Sequence, residues 1–376
     1  MKKCLPLLGI FFCIHDTSTS HSSRLEVVNE WNLLDFDVPF HVDYRDIKLE
    51  NTVFTGLELS DDRIFLATPR LRDGVPATLS TIPRRTPLGS SPILRAIKSD
   101  SCNRLWVLDS GVMSSIDNFA MVCQPKLVVF DLITDEIVRT VAFPRQVIRP
   151  GSLLTNLIID EEAHGKCDSA FIYMSDTTAP GLVVYDAGND RAWRMVDPSF
   201  YPDPNFSDYD INGETFTLMD GIVGLTHSPY LGTLFFQPLA TDRIFSIPTS
   251  RLSSGPQGEF EKLPVSLVGR KSSQGLSLAL NYFEDTLYFS PLTDTSVASF
   301  NLVSKHQKVL AYDPEKLQFL AEMRWKEDGS LWSLSTRFQR FFKRTISPSE
   351  INLRLVRIPP RTELYRNTHD NYIYYK

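Results

Sequence analysis

Six short apolar heptads recur along the chain: RIFLATP (Arg63 to Pro69), RLWVLDS (Arg104 to Ser110), AFIYMSD (Ala170 to Asp176), TLFFQPL (Thr233 to Leu239), TLYFSPL (Thr286 to Leu292) and SLWSLST (Ser330 to Thr336). Their second position is always Ile, Leu or Phe. Their third holds Phe65, Trp106, Ile172, Phe235, Tyr288 and Trp332. Runs this short, rich in β-branched and aromatic residues and several entered through polar turns, predict strands buried on both faces. They start 41 to 66 residues apart, a spacing that points to propeller blades or another closed array. A second ladder runs in phase with the first: KLVVFDL (Lys126 to Leu132), GLVVYDA (Gly181 to Ala187), RIFSIPT (Arg243 to Thr249), VASFNLV (Val297 to Val303) and LRLVRIP (Leu353 to Pro359). These are predicted third strands. IVRTVAF (Ile137 to Phe143) and AWRMVD (Ala192 to Asp197) alternate polar and apolar, as outer strands wet on one side do. In the first repeat, FTGLELS (Phe54 to Ser60) reads as an inner strand and PATLSTI (Pro76 to Ile82) as the third. RLEVVNEWNLLDF (Arg24 to Phe36) stands outside the six-fold count and is a candidate closing strand for the last blade. No segment carries a long 3.6-residue apolar period, so helix should be minor. The expectation is an all-β, six-bladed β-propeller over residues 23–366, closed by an N-terminal strand.

Composition changes that picture mainly at the ends. Lys2-Lys3, an apolar run from Cys4 to Ile14 and small polar residues through Ser22 have the layout of a signal peptide over residues 1–22, so secretion to the extracellular space is expected. About 11 apolar residues are too few to span roughly 30 Å of hydrocarbon as a helix. NTHDNYIYYK (Asn367 to Lys376) is too short and polar for the core and should be a loose tail. A formal charge of -6 over 376 residues gives no reason to expect nucleic acid. After signal removal Cys102, Cys123 and Cys167 remain. Cys102 and Cys167 each precede a heptad strand, one blade apart, and are expected to bridge neighbouring blades. Cys123 is then a free thiol, expected buried. Asn205-Phe206-Ser207 is the single N-x-S/T sequon and a candidate glycan site. The segment Tyr201 to Gly221 is a long, acidic and aromatic loop, and long loops in compact domains are often functional.

Several blocks resemble the yellow and major royal jelly protein family of insects: SCNRLWVLDSG with PKLVVFDL, FIYMSDTTAPGLVVYDAGNDRAWRM, the Tyr201-Pro202-Asp203-Pro204 turn with Gly221 to Leu225, and LWSLSTRFQRFFKRTISPSEINLRL. The resemblance runs from about Val53 to Arg357. It implies a secreted six-bladed propeller and roles in melanin and cuticle pigmentation. Some members convert dopachrome, salivary members capture biogenic amines, and others are food or signalling proteins. Many members carry a cysteine where Ser299 stands, so that bridge is expected to be absent. The hydroxyl, amide and ring that amine-binding members offer correspond here to Ala321, Thr336 and Phe338, of which only the ring is kept.

Ligands of propellers sit at a channel mouth, lined by inner-strand ends and inter-blade loops. Glu322 lies on an inner strand where the family often has Asp. Asp220 starts another inner strand, Asn156 precedes a third, and Asp109, Asp176 and Thr336 end second strands. For each of these the competing reading is a turn cap or a solvated rim group, and for Phe338 it is packing. An aromatic amine or a catechol-derived quinone needs a ring platform and a carboxylate, to pair an ammonium or to take a carbon-bound proton. Glu322 is the candidate base or ammonium partner. The alternative is a non-catalytic binder of biogenic amines or other small aromatic ligands. No cofactor, membrane span or oligomer is expected. The seven His residues include no i, i+4 pair, so no metal site is expected, and Ser110 sits in Asp-Ser-Gly rather than a hydrolase elbow. The basic-aromatic run FQRFFKR reads as a solvated blade edge in an acidic chain.

Overall fold

The computed structural model describes residues 25–36, 44–83, 96–258 and 262–360. The expected signal peptide over residues 1–22, the expected C-terminal tail and part of the first inter-blade connection lie outside these. All six heptads form strands, and each is the second strand of an antiparallel sheet. Blade 1 contains Gly56–Leu59, Arg63–Ala67 and Leu79–Pro83; blade 2 contains Ala96–Ser99, Arg104–Asp109, Lys126–Asp131 and Ile137–Ala142. Blade 3 runs through Leu154–Asp160, Phe171–Asp176, Gly181–Asp186 and Arg191–Met195, and blade 4 through Ile222–Ser228, Thr233–Pro238, Arg243–Pro248 and Ser266–Arg270. Blade 5 comprises Leu278–Asn281, Thr286–Phe289, Ser296–Asn301 and Gln307–Tyr312. Blade 6 has Phe319–Trp325, Leu331–Thr336 and Leu353–Ile358, and its outer strand is the N-terminal Glu26–Trp31. Glu26 lies opposite Arg357 and Trp31 opposite Leu353, so the closing strand joins the chain ends non-covalently.

The inner strands contact one another in cyclic order, with blade 6 against blade 1, and the molecule is a six-bladed β-propeller. Its core is divided among the blade interfaces. Trp106, fully buried, packs with Leu154, Ile172 and Val183 between blades 2 and 3. Leu57, Ile64, Leu334 and Leu355 do the same between blades 1 and 6. Helix is confined, among the described residues, to Thr249–Ser253, Phe338–Lys343 and a few single 3-10 turns.

The inner strands of blades 3, 4 and 6 break register with their neighbours at one equivalent place, between Leu154 and Asn156, Ile222 and Gly224, and Leu320 and Glu322. A bulge re-aims the side chains around it, and here all three fall at the same channel mouth.

The Cys102–Cys167 disulfide is present, with Cα atoms 6.2 Å apart, and it ties blade 2 to blade 3. Cys123 corrects the expectation of a buried thiol. It is exposed, because it follows the hairpin Val112–Met113/Ala120–Met121, which projects from the blade rather than packing in it. That hairpin starts at Gly111, at φ +67°, where a Cβ would stand 2.1 Å from the Cys123 carbonyl oxygen. The loop Tyr201 to Gly221 is not irregular. It folds a hairpin, Asp208–Ile211 with Glu214–Thr217, that caps the cavity end of blade 4.

Candidate active site at the channel mouth

A cavity of about 330 Å³ occupies the mouth where the inner strands begin, within the size range of small-molecule sites. Its walls are mostly apolar: Phe54, Leu71, Leu154, Val223, Phe319 and Phe338 among them. The bulged residues Thr155, Val223 and Ala321 all face it, as do the next residues on two of those strands, Asn156 and Glu322. A one-residue slip in a strand exchanges its faces, so the bulges let inner strands present these groups without losing the ladder below.

Of the seven residues singled out in sequence, the fold brings Glu322, Asp220, Asn156 and Phe338 to this cavity. The other three go elsewhere. Asp176 is fully buried and accepts hydrogen bonds from Ser152 Oγ, the Leu153 and Ala179 amides and Arg194 Nη1, so its role is to brace the turns around it. Asp109 accepts from the Gly111 amide at 2.8 Å and from Lys126 Nζ at 2.6 Å, at the base of the projecting hairpin. Thr336 is buried and its hydroxyl donates to the Phe319 carbonyl at 3.4 Å, within the blade 6 sheet. In each case a local polar partner captures the side chain before the channel can.

The four that converge differ in chemistry. Asn156 donates from Nδ2 to the Val223 carbonyl at 3.1 Å and accepts from the Leu157 amide, bridging blades 3 and 4. Beside it Thr155 and Thr177 are hydrogen-bonded to each other, and Thr177 donates to the Ile222 carbonyl, so this wall is polar but satisfied. Phe338 opens the helix Phe338–Lys343 and stacks on Phe319 with centroids 4.6 Å apart. Phe216 of the capping hairpin meets Phe338 and Phe342 edge-on or tilted. The cap is held shut by ions as well: Arg340 Nε lies 2.6 Å from Glu214 Oε1, and Arg72 donates to the Phe341 and Phe342 carbonyls at the end of the same helix. Phe338 is thus both packing and wall.

Glu322 is 3% exposed and bound to a guanidinium. Its Oε1 accepts from Arg324 Nη1 and from the Met323 amide, while Arg324 Nε reaches Glu58 Oε2 at 3.3 Å and Nη2 the Ile97 carbonyl. Lys98 lies in the same channel region, where burial and the like charge of Arg324 pull its ammonium down to about 8 against the opposing pull of Glu58 and Glu322. Asp220 has no such partner: among the described residues no side-chain hydrogen bond or ion pair reaches it. It lines the cavity and is half-buried, and desolvation pushes its carboxyl up to about 6. Behind it the Tyr209 hydroxyl is buried without a hydrogen-bond partner, its ionisation opposed by burial first and by the Asp220 charge second. The sequence marked Asp220 as one rim carboxylate among several. Its isolation arises from the hairpin that folds over it, which local pattern did not predict.

The disulfide pair and Asp100 form the one cluster of His, Cys, Asp or Glu with ligand-like spacing among the described residues. Both its sulfurs are consumed by the bridge. Asn205 is exposed on the turn Pro204–Phe206, its amide bonded to Asp203. No helix of the described residues is long and apolar enough to cross a membrane.

Fold and cavity together define a propeller with a small cavity at one channel mouth, mostly apolar and carrying a carboxyl group without a side-chain partner. The chain belongs to the major royal jelly protein family, whose sequence profile matches residues 95–369. It is 26% identical to the dopaminechrome tautomerase of Drosophila melanogaster, over 89% of this chain and 82% of that protein. It is 28% identical to protein yellow of Drosophila erecta, over 92% of this chain and 70% of that one. Among solved structures, a chain of a nidogen/laminin complex aligns with a TM-score of 0.44 and 11% identity, over 75% of this chain and 84% of that chain.

Proposed function

We propose that the protein is a secreted tautomerase of pigment precursors, and that its substrate is an aminochrome without a carboxylate, such as dopaminechrome. The observation that carries this is the cavity's charge. Asp220 and Glu322 are its acidic lining groups, and no Lys or Arg lines it among the described residues. A substrate carboxylate would meet like charge in a largely apolar site, whereas a neutral quinone would not. The similarity to a dopaminechrome tautomerase and to protein yellow supports the reaction class and a role in pigmentation.

Tautomerisation moves a proton from a saturated ring carbon to a quinone oxygen, with no net oxidation. Asp220 takes the carbon-bound proton as its electron pair enters the ring. The proton then returns to the oxygen, directly or through water. A carboxyl group near 6 suits both halves at neutral pH. Phe338 and Phe319 form the aromatic wall against the ring, and the second Nδ2 hydrogen of Asn156 orients the dione. In this reading Glu322 is an ion-paired wall rather than the base. The Cys102–Cys167 bridge supports passage through an oxidising compartment, in keeping with a signal peptide over residues 1–22 and a glycan at Asn205.

The test is loss of aminochrome absorbance with purified protein, read against spontaneous rearrangement, beside calorimetric titration of dopamine and serotonin. Dopaminechrome should be consumed at least tenfold faster than dopachrome. Saturable heat from an amine without conversion of either quinone would select the binding role instead.

A further inference from the structure

At the end of the propeller opposite the cavity, the loops joining each inner strand to its second strand gather around the other channel mouth. In blades 4 and 5 these loops, and in blade 6 the end of the inner strand, carry aromatic rings in mutual contact. Tyr230 and Tyr282 have centroids 5.5 Å apart, Tyr282 and Phe283 4.6 Å, and Tyr282 and Trp325 5.2 Å. The cluster is not covered: Tyr230 is 73% exposed, Phe283 62% and the adjoining Leu231 51%. A contiguous exposed aromatic patch of this kind marks an interaction surface. The charge around it identifies the partner. The same set of loops exposes Asp61, Asp62, Glu162, Glu284, Glu327 and Asp328, against Lys166 as their exposed cation.

We propose that this end face docks a cationic, lysine- or arginine-rich segment of a partner protein. Side chains of that segment would lie across the faces of Tyr230 and Phe283, with their charges reaching Glu284 and Glu327. Aromatic faces attract ammonium and guanidinium groups, and a ring of carboxylates steers them there. Tyr282 already spends its hydroxyl on Glu327 Oε1, at 2.9 Å, which fixes the ring upright and holds that carboxylate at the patch edge. The inference is independent of the chemistry in the cavity, which lies at the opposite mouth.

The test is fluorescence anisotropy of a labelled twelve-residue peptide of alternating Lys and Gly, with a Glu-Gly peptide of equal length as control, at low and at physiological salt. The intact chain should bind the basic peptide and not the acidic one. Glu284→Lys with Glu327→Lys should weaken binding at least tenfold. Tyr230→Ser with Phe283→Ser should weaken it roughly fivefold at physiological salt, where screening leaves more of the affinity to the rings. Thermal melts of both variants, expected within a few degrees of the parent, exclude unfolding as the cause. Equal binding by the aromatic variant, or no binding by the parent, overturns the proposal. So does retention on an insoluble β-linked polysaccharide that persists in high salt and is lost only with the rings, which would make the patch a sugar platform. Binding that emerges only after residues 361–376 are removed would also overturn it, since the chain itself would then occupy the face.

Discussion

Asp220, at the blade 4 rim, and Glu322, on the blade 6 inner strand, turn carboxylates into one cavity from two differently built walls. Glu322 is a strand residue with Arg324 two positions on. In an extended strand those side chains share a face, so the guanidinium meets the carboxylate as a matter of geometry and carries Glu58 with it. Asp220 lies in the loop before the blade 4 inner strand, flanked by Met219 and Gly221, and shares the cavity lining with the apolar Leu218, Leu239 and Val223. Glu322 is buried and Asp220 half-buried, both line the cavity, and only Glu322 has a counter-charge. That difference is why the proposed proton transfer is given to Asp220, the group with no partner.

The largest effect should come from Asp220→Asn, which keeps the shape of the side chain and removes its basicity. Turnover of dopaminechrome should fall about a thousandfold, within the span of general-base losses, with the substrate's KM little changed. Retained turnover would move the base to Glu322 and dissolve the comparison. Next in size is Arg324→Leu. It leaves Glu58 and Glu322 facing each other in the channel without their shared cation, and removing one partner of a buried ionic cluster costs about 3–5 kcal/mol. Denaturant unfolding should show it. Reverting part of the charge with Glu322→Gln in the same chain should recover some of that loss, as coupled neighbours do.

A third comparison is made by pH. The folded-state value of Asp220, about 6, lies above the roughly 3.9 of an unfolded aspartate, so between these values the folded chain binds more protons. Its contribution is fully present below about 4 and is lost as pH rises through 6. Relative to Asp220→Asn, the wild type should therefore become less stable across that window, by about 3 kcal/mol, and level off above it. Activity must run the other way, with kcat/KM rising to half its plateau near pH 6. If stability and activity rose together across this window, the titrating group would not be Asp220.

How much of this could be read from the chain follows from what each feature depends on. The heptads were legible because a second strand is buried on both faces and its apolar run reports that directly. The closing strand was legible for a related reason, since Glu26–Trp31 is a seventh strand-like run with no heptad to pair with. The bulges at Thr155, Val223 and Ala321 were not, because register is a relation between two strands. Asp176, Asp109 and Thr336 point to the channel on strand position alone, and local partners take them: Arg194 and a pair of turn amides donate to Asp176, Lys126 donates to Asp109, and the Phe319 carbonyl accepts from Thr336. The Glu322–Arg324 pair was within reach of the period-2 rule. Asp220 was not, since its isolation needs the Asp208–Thr217 hairpin folded above it and the phenylalanines of Phe338–Lys343 across from it. Cys123 shows the limit of composition: free cysteines are buried on average, and this one follows a projecting hairpin.

The smallest effect is the most discriminating. Glu322→Gln is isosteric, and Gln can still accept from the Met323 amide and from Arg324 through its carbonyl oxygen. Arg324 then keeps Glu58 as its remaining counter-ion, so the cluster passes from two carboxylates to one without leaving a buried anion unpaired. The cost to stability should be about 1 kcal/mol, as for weakening a charge-assisted hydrogen bond. Turnover should fall less than tenfold, because the altered charge lies on the wall rather than at the transferred proton. Dopachrome should gain on dopaminechrome, since the lost negative charge is one its carboxylate would otherwise meet. That shift in preference, measured as a ratio of kcat/KM values for the two quinones, separates a wall from a base: a base would lose both substrates together.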